Sequence, residues 1–235
     1  MKTTVLFAAF ALITSGVLAQ NEEAMIEHYQ KFYLQMRKQG DVNGVINALT
    51  HLQVLQPSQS KLDTIAYIYM NNNQHAQALS TLGVERNVAD SDLAVQVKAV
   101  SLKALNQTER AIQQFDILFK RSPSPFLAYE LADLKIQIGN IGAEDHINYG
   151  LENSTPEMKY AFYERQQPYE VPLKAAFLHL KGLMVFNTDK SRIDESIAFM
   201  DQALEIAPNF NLAQLSKEAL QQRKEQASKT EGGED

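Results

Sequence analysis

The stretch LNQTERAIQQFDILFKRSP (residues 105–123) decides the fold, because it shows one complete helix between two breaks. Ala111, Ile112, Phe115, Leu118 and Phe119 follow the i, i+1, i+4, i+7, i+8 stripe of an amphipathic helix. Asn106-Gln107 opens it and Pro123 closes it. Just before it, Val95, Ala99, Val100 and Leu102 mark another helix ending near Asn106. The same breaks recur along the chain. Turn residues stand at Gly40-Asp41, Asn73-Gln74, Asn106-Gln107 and Gly139-Asn140, their first members separated by a constant 33-residue step. Pro57, Asp90, Pro123 and Pro156 mark the opposite end of each unit with the same 33-residue step. Two punctuation series with one period describe a repeat of helix, turn, helix, turn. One such pair cannot bury its apolar stripe alone, so neighbouring pairs must stack.

The residues between the marks resemble the tetratricopeptide repeat family. The second unit carries Leu62, Ile65-Ala66, Tyr69, Ala78 and Leu82, with Asp90 in the proline slot. The third carries Val95, Lys98-Ala99, Leu102, Ala111, Phe115 and Pro123. The last carries Gly182, Val185, Ser196 and Met200 before DQALEIAPNF (residues 201–210), with two extra residues in its turn. Small residues at Ala66, Ala99, Ala132 and Gly182 fit a close approach of paired helices. The pattern departs at Tyr33, where a small residue is expected, and at Lys135, Glu144 and Asn148, where apolar side chains are expected. The resemblance implies an all-α, right-handed superhelical solenoid of about five antiparallel helix pairs, with an inserted helix and a C-terminal capping helix. A generic array of helical hairpins is the alternative.

The period breaks once. From Gly139 to the next comparable turn at Asp189 the chain takes a 50-residue step in place of the 33-residue one. The insert, about residues 154–172, contains YAFYERQQPYEVP (residues 160–172). Thr155-Pro156-Glu157 reads as a helix start, with a cap, a proline for the first turn and an acid for the dipole. The expectation is a helix to about Gln166, a connector from Pro168 to Pro172, and a further helix to about Phe186. The aromatics of this stretch fill a packing wedge, or else Tyr160, Tyr163, Arg165 and Tyr169 form a binding surface. Residues 210–227 read as a last helix with Leu212, Leu215 and Leu220 inward.

Residues 1–19 read as a signal peptide. Lys2 precedes an apolar Val5–Ile13 run, and Val17-Leu18-Ala19 suits cleavage. The run is too short for the roughly 20 residues of a membrane span. The repeat domain would then occupy residues 20–227, followed by a disordered polar tail at residues 228–235. The chain has no cysteine, which excludes disulfides, thiolate metal sites and lipidation at a cysteine, and agrees with an exported, periplasmic or secreted protein. A formal charge of −6 without a basic cluster gives no case for nucleic acid.

No catalytic constellation is present. His28, His51, His75, His146 and His179 are scattered, and no zinc-protease, hydrolase or phosphate-loop motif occurs. No enzyme, cofactor or metal site is therefore expected. The family resemblance implies that the first helix of each pair lines a groove for a protein or peptide partner. The implied groove residues are Arg37, Lys38, Tyr67, Asn71, Lys103, Tyr129 and His179. The spacing of Asn71 and Lys103 does not match the family's clamp for C-terminal carboxylates. The expected function is a non-enzymatic binding scaffold or adaptor in the cell envelope. The alternative is an accessory protein, for example one handling carbohydrate, that uses the aromatic insert.

Overall fold

The computed structural model describes the backbone of residues 2–139 and 142–231, and the side chains of residues 21–139 and 142–228. The side chains of the expected signal peptide, and residues 232–235 of the expected tail, lie outside these. The chain divides into two units, Met1–Asn106 and Gln107–Asp235. Unit 1 contains α1 (Lys2–Gln39), α2 (Val42–Leu55), α3 (Gln59–Asn71), α4 (His75–Leu82) and α5 (Asp92–Ala104). Unit 2 contains α6 (Thr108–Arg121), α7 (Pro125–Gln137), α8 (Ala143–Asn153), β1 (Lys159–Phe162), β2 (Tyr169–Pro172), α9 (Leu173–Thr188), a 3-10 turn at Lys190–Arg192, α10 (Ile193–Ile206) and α11 (Asn211–Glu231).

The four turn marks share one backbone conformation. Gly40, Asn73, Asn106 and Gly139 all lie in the left-handed region, with φ of 72°, 58°, 56° and 70°. Glycine adopts this conformation freely and asparagine tolerates it. After α1, the Gly40 amide donates to the Arg37 carbonyl and the Asp41 amide to the Met36 carbonyl. One period later Asn73 bonds Met70 and Gln74 bonds Tyr69 in the same way. This is the Schellman pattern, which satisfies the last carbonyls of a helix. The other marks precede a serine N-cap: Ser58, Ser91 and Ser124 accept from the amides of Lys61, Ala94 and Leu127. Those serines keep the same 33-residue period. The fourth slot holds Glu157, and no helix starts there.

A β-hairpin stands where the inserted helix was expected. β1 and β2 pair antiparallel, with Tyr160 opposite Val171 and Phe162 opposite Tyr169. Directly opposed residues share a face, so these four side chains form one face, and Lys159, Ala161 and Glu170 lie on the other. The supposed helix start is a turn: the Met158 amide donates to the Thr155 carbonyl at 3.1 Å, around Pro156 at the position turns favour for proline. The 50-residue step exceeds the 33-residue period by the length of Pro156–Pro172. The hairpin is therefore an addition to the repeat and leaves its register intact.

In unit 1, Ile46, Leu49 and Ile65 form one buried cluster, and Tyr33 packs half-buried against it in the slot expected to be small. Ala66, Met70, Ala78 and Val97 form a second. In unit 2, one core runs from Ala128 to Leu220 and includes the fully buried Phe177 and Phe210. Close helix approach is visible at Gly182, whose carbonyl accepts the Ser196 hydroxyl at 2.7 Å. An added Cβ there would stand 3.0 Å from the Ser196 carbonyl oxygen. In α11 the inward side chains are Ala213 and Leu220, whereas Leu215, expected inward, is 51% exposed. The helix also continues past residue 227 to Glu231.

Candidate functional site

The expected groove residues fall into two sets. Arg37 and Lys38 in the last turn of α1, and Tyr67 and Asn71 on α3, are exposed, while Lys103 on α5 is half-buried. Lys38 and Asn71 are one period apart and hold the same place in successive repeats. The residue one period before Tyr67 is Leu34, which lies outside the expected set; it is 59% exposed. Leu34/Lys38 and Tyr67/Asn71 therefore repeat one motif: an exposed apolar or aromatic side chain, then a polar one a helical turn later. The 33-residue spacing alone is enough to find Leu34.

Tyr129 and His179, expected to line the groove, are instead buried. Tyr129 lies under the hairpin, with its ring 4.1 Å from that of Tyr160 and 5.6 Å from that of Phe177. His179 lies under the start of α11, with its ring 5.2 Å from Phe210 and its Nε2 3.0 Å from the Ser216 hydroxyl. Its Nδ1 has no hydrogen-bond partner among the described residues. Burial pushes its pKa down to about 4, because an imidazolium there would lose its hydration without gaining a counter-charge.

The insert aromatics divide in the same way. Phe162 and Val171 are buried, and Tyr160 and Tyr169 pack half-buried against the same core. The Tyr160 hydroxyl donates to Glu130 Oε1 at 2.8 Å. Burial first, and then the Glu130 carboxylate, hold its pKa above the ordinary tyrosine range. The Tyr169 hydroxyl donates to Glu164 Oε1 at 2.5 Å and receives the Leu212 amide at 3.4 Å. Its pKa is pushed up to about 12, by burial and then by Glu164. Tyr163 at the tip is 74% exposed. Arg165, also exposed, lies 5.9 Å from the centre of the Tyr169 ring.

One charged departure from the repeat pattern, Lys135, finds partners in unit 2, and another, Glu144, lines a pocket there. Lys135 on α7 meets His146 Nε2 on α8 at 2.9 Å and Asp116 on α6 at 4.0 Å. His146 is held below its usual pKa by burial and then by Lys135, so a neutral imidazole accepts from the ammonium. Glu144 lines a pocket of about 260 Å³ with Lys181, Met184, Arg192, Glu195 and Phe199. Arg192 is already paired to Glu195 through Nε and Nη2 at 2.8 and 2.7 Å. The pocket thus presents mixed charge over an apolar floor, with no nucleophile and base in bonding contact. Among the described residues, no cluster of His, Asp and Glu is placed to hold a metal, and no helix is long and apolar enough to cross a membrane.

Unit 1 explains the departure at Asp90, which replaces the expected proline. Its carboxylate bonds Lys98 Nζ at 2.6 Å, and the same ammonium donates to the Glu85 carbonyl at 3.1 Å. The pair ties the segment between α4 and α5 to the buried face of α5. Asp63 is likewise buried, and accepts from Gln59 at 2.8 Å and from Ser91, the N-cap of α5, at 2.6 Å.

No family model matches the sequence, and no curated protein does. Solved structures do. A tetratricopeptide repeat protein from Parabacteroides merdae ATCC 43184 is similar at a TM-score of 0.61 and 15% identity, over 84% of this chain and 72% of that one. The MamA protein is similar at a TM-score of 0.55 and 16% identity, over 77% of this chain and 91% of that one. With left-handed turns on a 33-residue period and helices packed in consecutive pairs, the chain has a tetratricopeptide-repeat-like fold.

Proposed function

We propose that the chain is a non-enzymatic scaffold that binds a protein or peptide on the first helices of unit 1. The observation that carries this reading is the repeated exposure of Leu34 and Lys38 on α1 and of Tyr67 and Asn71 on α3. A stable repeat would normally turn apolar side chains inward, so an exposed Leu and Tyr in one repeat-equivalent position are candidates to anchor a partner. Arg37 and Lys38 add positive charge beside them and favour a segment bearing carboxylates. The fold of the two similar structures supports a scaffold over an enzyme, and the N-terminal apolar run supports work in the cell envelope after export. The accessory-ligand alternative has little aromatic surface to use, since of the insert tyrosines Tyr163 alone is exposed.

The test uses the purified chain as bait for envelope proteins, with any captured partner then titrated as a pure component. Leu34→Ser with Tyr67→Ala should weaken that complex by at least about tenfold, the effect of losing one hot-spot anchor, without changing the melting temperature. Undiminished affinity would place recognition elsewhere. Export is tested separately: the secreted form should begin at Gln20 in intact-mass analysis, and a retained Met1 would overturn it.

A further inference from the structure

We infer that the α7–α9 face is a binding site for an extended aromatic segment, and that the β1–β2 hairpin occupies it in cis. This concerns unit 2 and stands independently of the unit 1 surface proposed above. Three observations converge on it. The first is modularity. Removing Pro156–Pro172 would restore the 33-residue register between Gly139 and Asp189, so the insert is an addition to the length of one repeat. The helices around it also pack directly on one another: α7 on α8 and α9, α9 on α10, and α10 on α11.

The second observation is the contact chemistry. The hairpin meets the helices through alternate residues, as a bound peptide strand meets a groove. Tyr160 lies on Tyr129 and gives its hydroxyl to Glu130, both on α7. Phe162 lies 4.9 Å from Phe210, at the start of α11. Val171 is fully buried, while Lys159 and Glu170, on the opposite face of the hairpin, are exposed. The third is the cover of Tyr129. The same repeat position is open at Gln96, is closed at Asp63 by Ser91, and is closed at Tyr129 by the hairpin. The segment the site takes is therefore a strand of the form Tyr-x-Phe, with a hydroxyl-bearing aromatic to reach Glu130.

The experiment joins Thr155 directly to Leu173 and measures binding of a labelled synthetic peptide of residues 157–172 by fluorescence anisotropy. The deletion variant should remain helical and bind the peptide. The full chain should not bind it at micromolar peptide, because the tethered hairpin competes at an effective concentration on the order of millimolar. Changing Tyr160 to Phe in the peptide, or Glu130→Gln in the variant, should weaken binding by about tenfold, as expected for one hydrogen bond to a charged group. A folded deletion variant that ignores the peptide would overturn the inference, as would a full chain that binds it equally well. If the deletion variant does not fold, the full chain with Tyr160→Ala and Phe162→Ala is the second recipient. Its failure to take up the peptide would make the hairpin ordinary core and would equally overturn the site.

Discussion

The first helices of the two units meet their surroundings differently. On α1 and α3 of unit 1, Leu34, Lys38, Tyr67 and Asn71 stand open, while on α7 and α9 of unit 2 Tyr129 and His179 are sealed. The buried polar groups differ in a parallel way. In unit 1, Asp63, Lys98 and Ser101 each have a partner, through Ser91, Asp90 and His75. In unit 2, Ser196 bonds the Gly182 carbonyl, but Gln114 and Nδ1 of His179 have no partner among the described residues. Tyr129 and His179 hold one repeat position, that of Asp63 and Gln96, four residues before that of Tyr67. It is buried at Asp63 but exposed at Gln96. What lies over it is fixed by elements the repeat does not encode: here the hairpin and the start of α11.

The comparison breaks most decisively at Phe162. If the hairpin seals unit 2, Phe162→Ala should cost about 3–5 kcal/mol, as for other buried aromatic truncations, read as a lower urea midpoint by circular dichroism. A loss near zero would mean that the hairpin merely rests on the helices. Asp90→Ala is the counterpart in unit 1. It leaves the Lys98 ammonium, 5% exposed, without its carboxylate, and breaking one side of a buried pair costs about 3–5 kcal/mol. Lys98→Met, which removes the charge and keeps the bulk, should be much milder. Equal losses from the two variants would show that packing, rather than pairing, holds this segment.

The solvation of His179 predicts a pH dependence carried by unit 2. Its native pKa is about 4 against an ordinary value of 6.5, so the unfolded state binds more protons between these values. Stability is fully present above pH 6.5 and is lost as pH falls from there toward 4, by on the order of 3 kcal/mol. Chemical denaturation at stepwise pH should show this slope in the wild type, and His179→Gln should flatten it. An unchanged slope in His179→Gln would move the acid sensitivity to another group. A smaller effect tests the same core from its opposite wall. Gly150 lies inside α8, and an added Cβ would fall 1.9 Å from Cζ of the fully buried Phe177. Gly150→Ala should therefore cost about 1–3 kcal/mol through overpacking, despite alanine's better helix propensity. A stabilised variant would show that the Phe177 ring has room to move.

How much of this is legible in the chain depends on the length of each signal. The 33-residue turn series is readable because left-handed closure selects glycine or asparagine strongly, and all four marks obey it. The serine caps carry the same period but stand beside the more conspicuous prolines and Asp90. The hairpin escapes sequence reading for a physical reason. Each strand is so short that Tyr160 and Phe162, then Tyr169 and Val171, give only two inward positions per strand. Thr155-Pro156-Glu157 offers a helix start of equal local strength. The strand wins because its partner across the tip supplies the other half of the sheet, and only pairing at a distance reveals that. Burial of Tyr129 and His179 is out of reach for the same reason: their covers, Tyr160 and Phe210, lie almost a full repeat further along in each case.

The gentlest substitution separates the two sides of the hairpin. Tyr163 follows Phe162 directly, yet its side chain is 74% exposed while that of Phe162 is 7% exposed. An exposed aromatic with no packed neighbour contributes little to folding, so Tyr163→Ala should change stability by less than about 0.5 kcal/mol. Paired with Phe162→Ala, it turns adjacent residues of one strand end into a measurement of which face the core uses. It also weighs the accessory-ligand alternative, since a sugar stacking on the insert would have to use this ring. Calorimetric titration with oligosaccharides should show no heat lost on Tyr163→Ala, because none is expected from the wild type. A saturable wild-type signal that vanishes in this variant, at unchanged stability, would move recognition from the first helices of unit 1 to the tip of the hairpin.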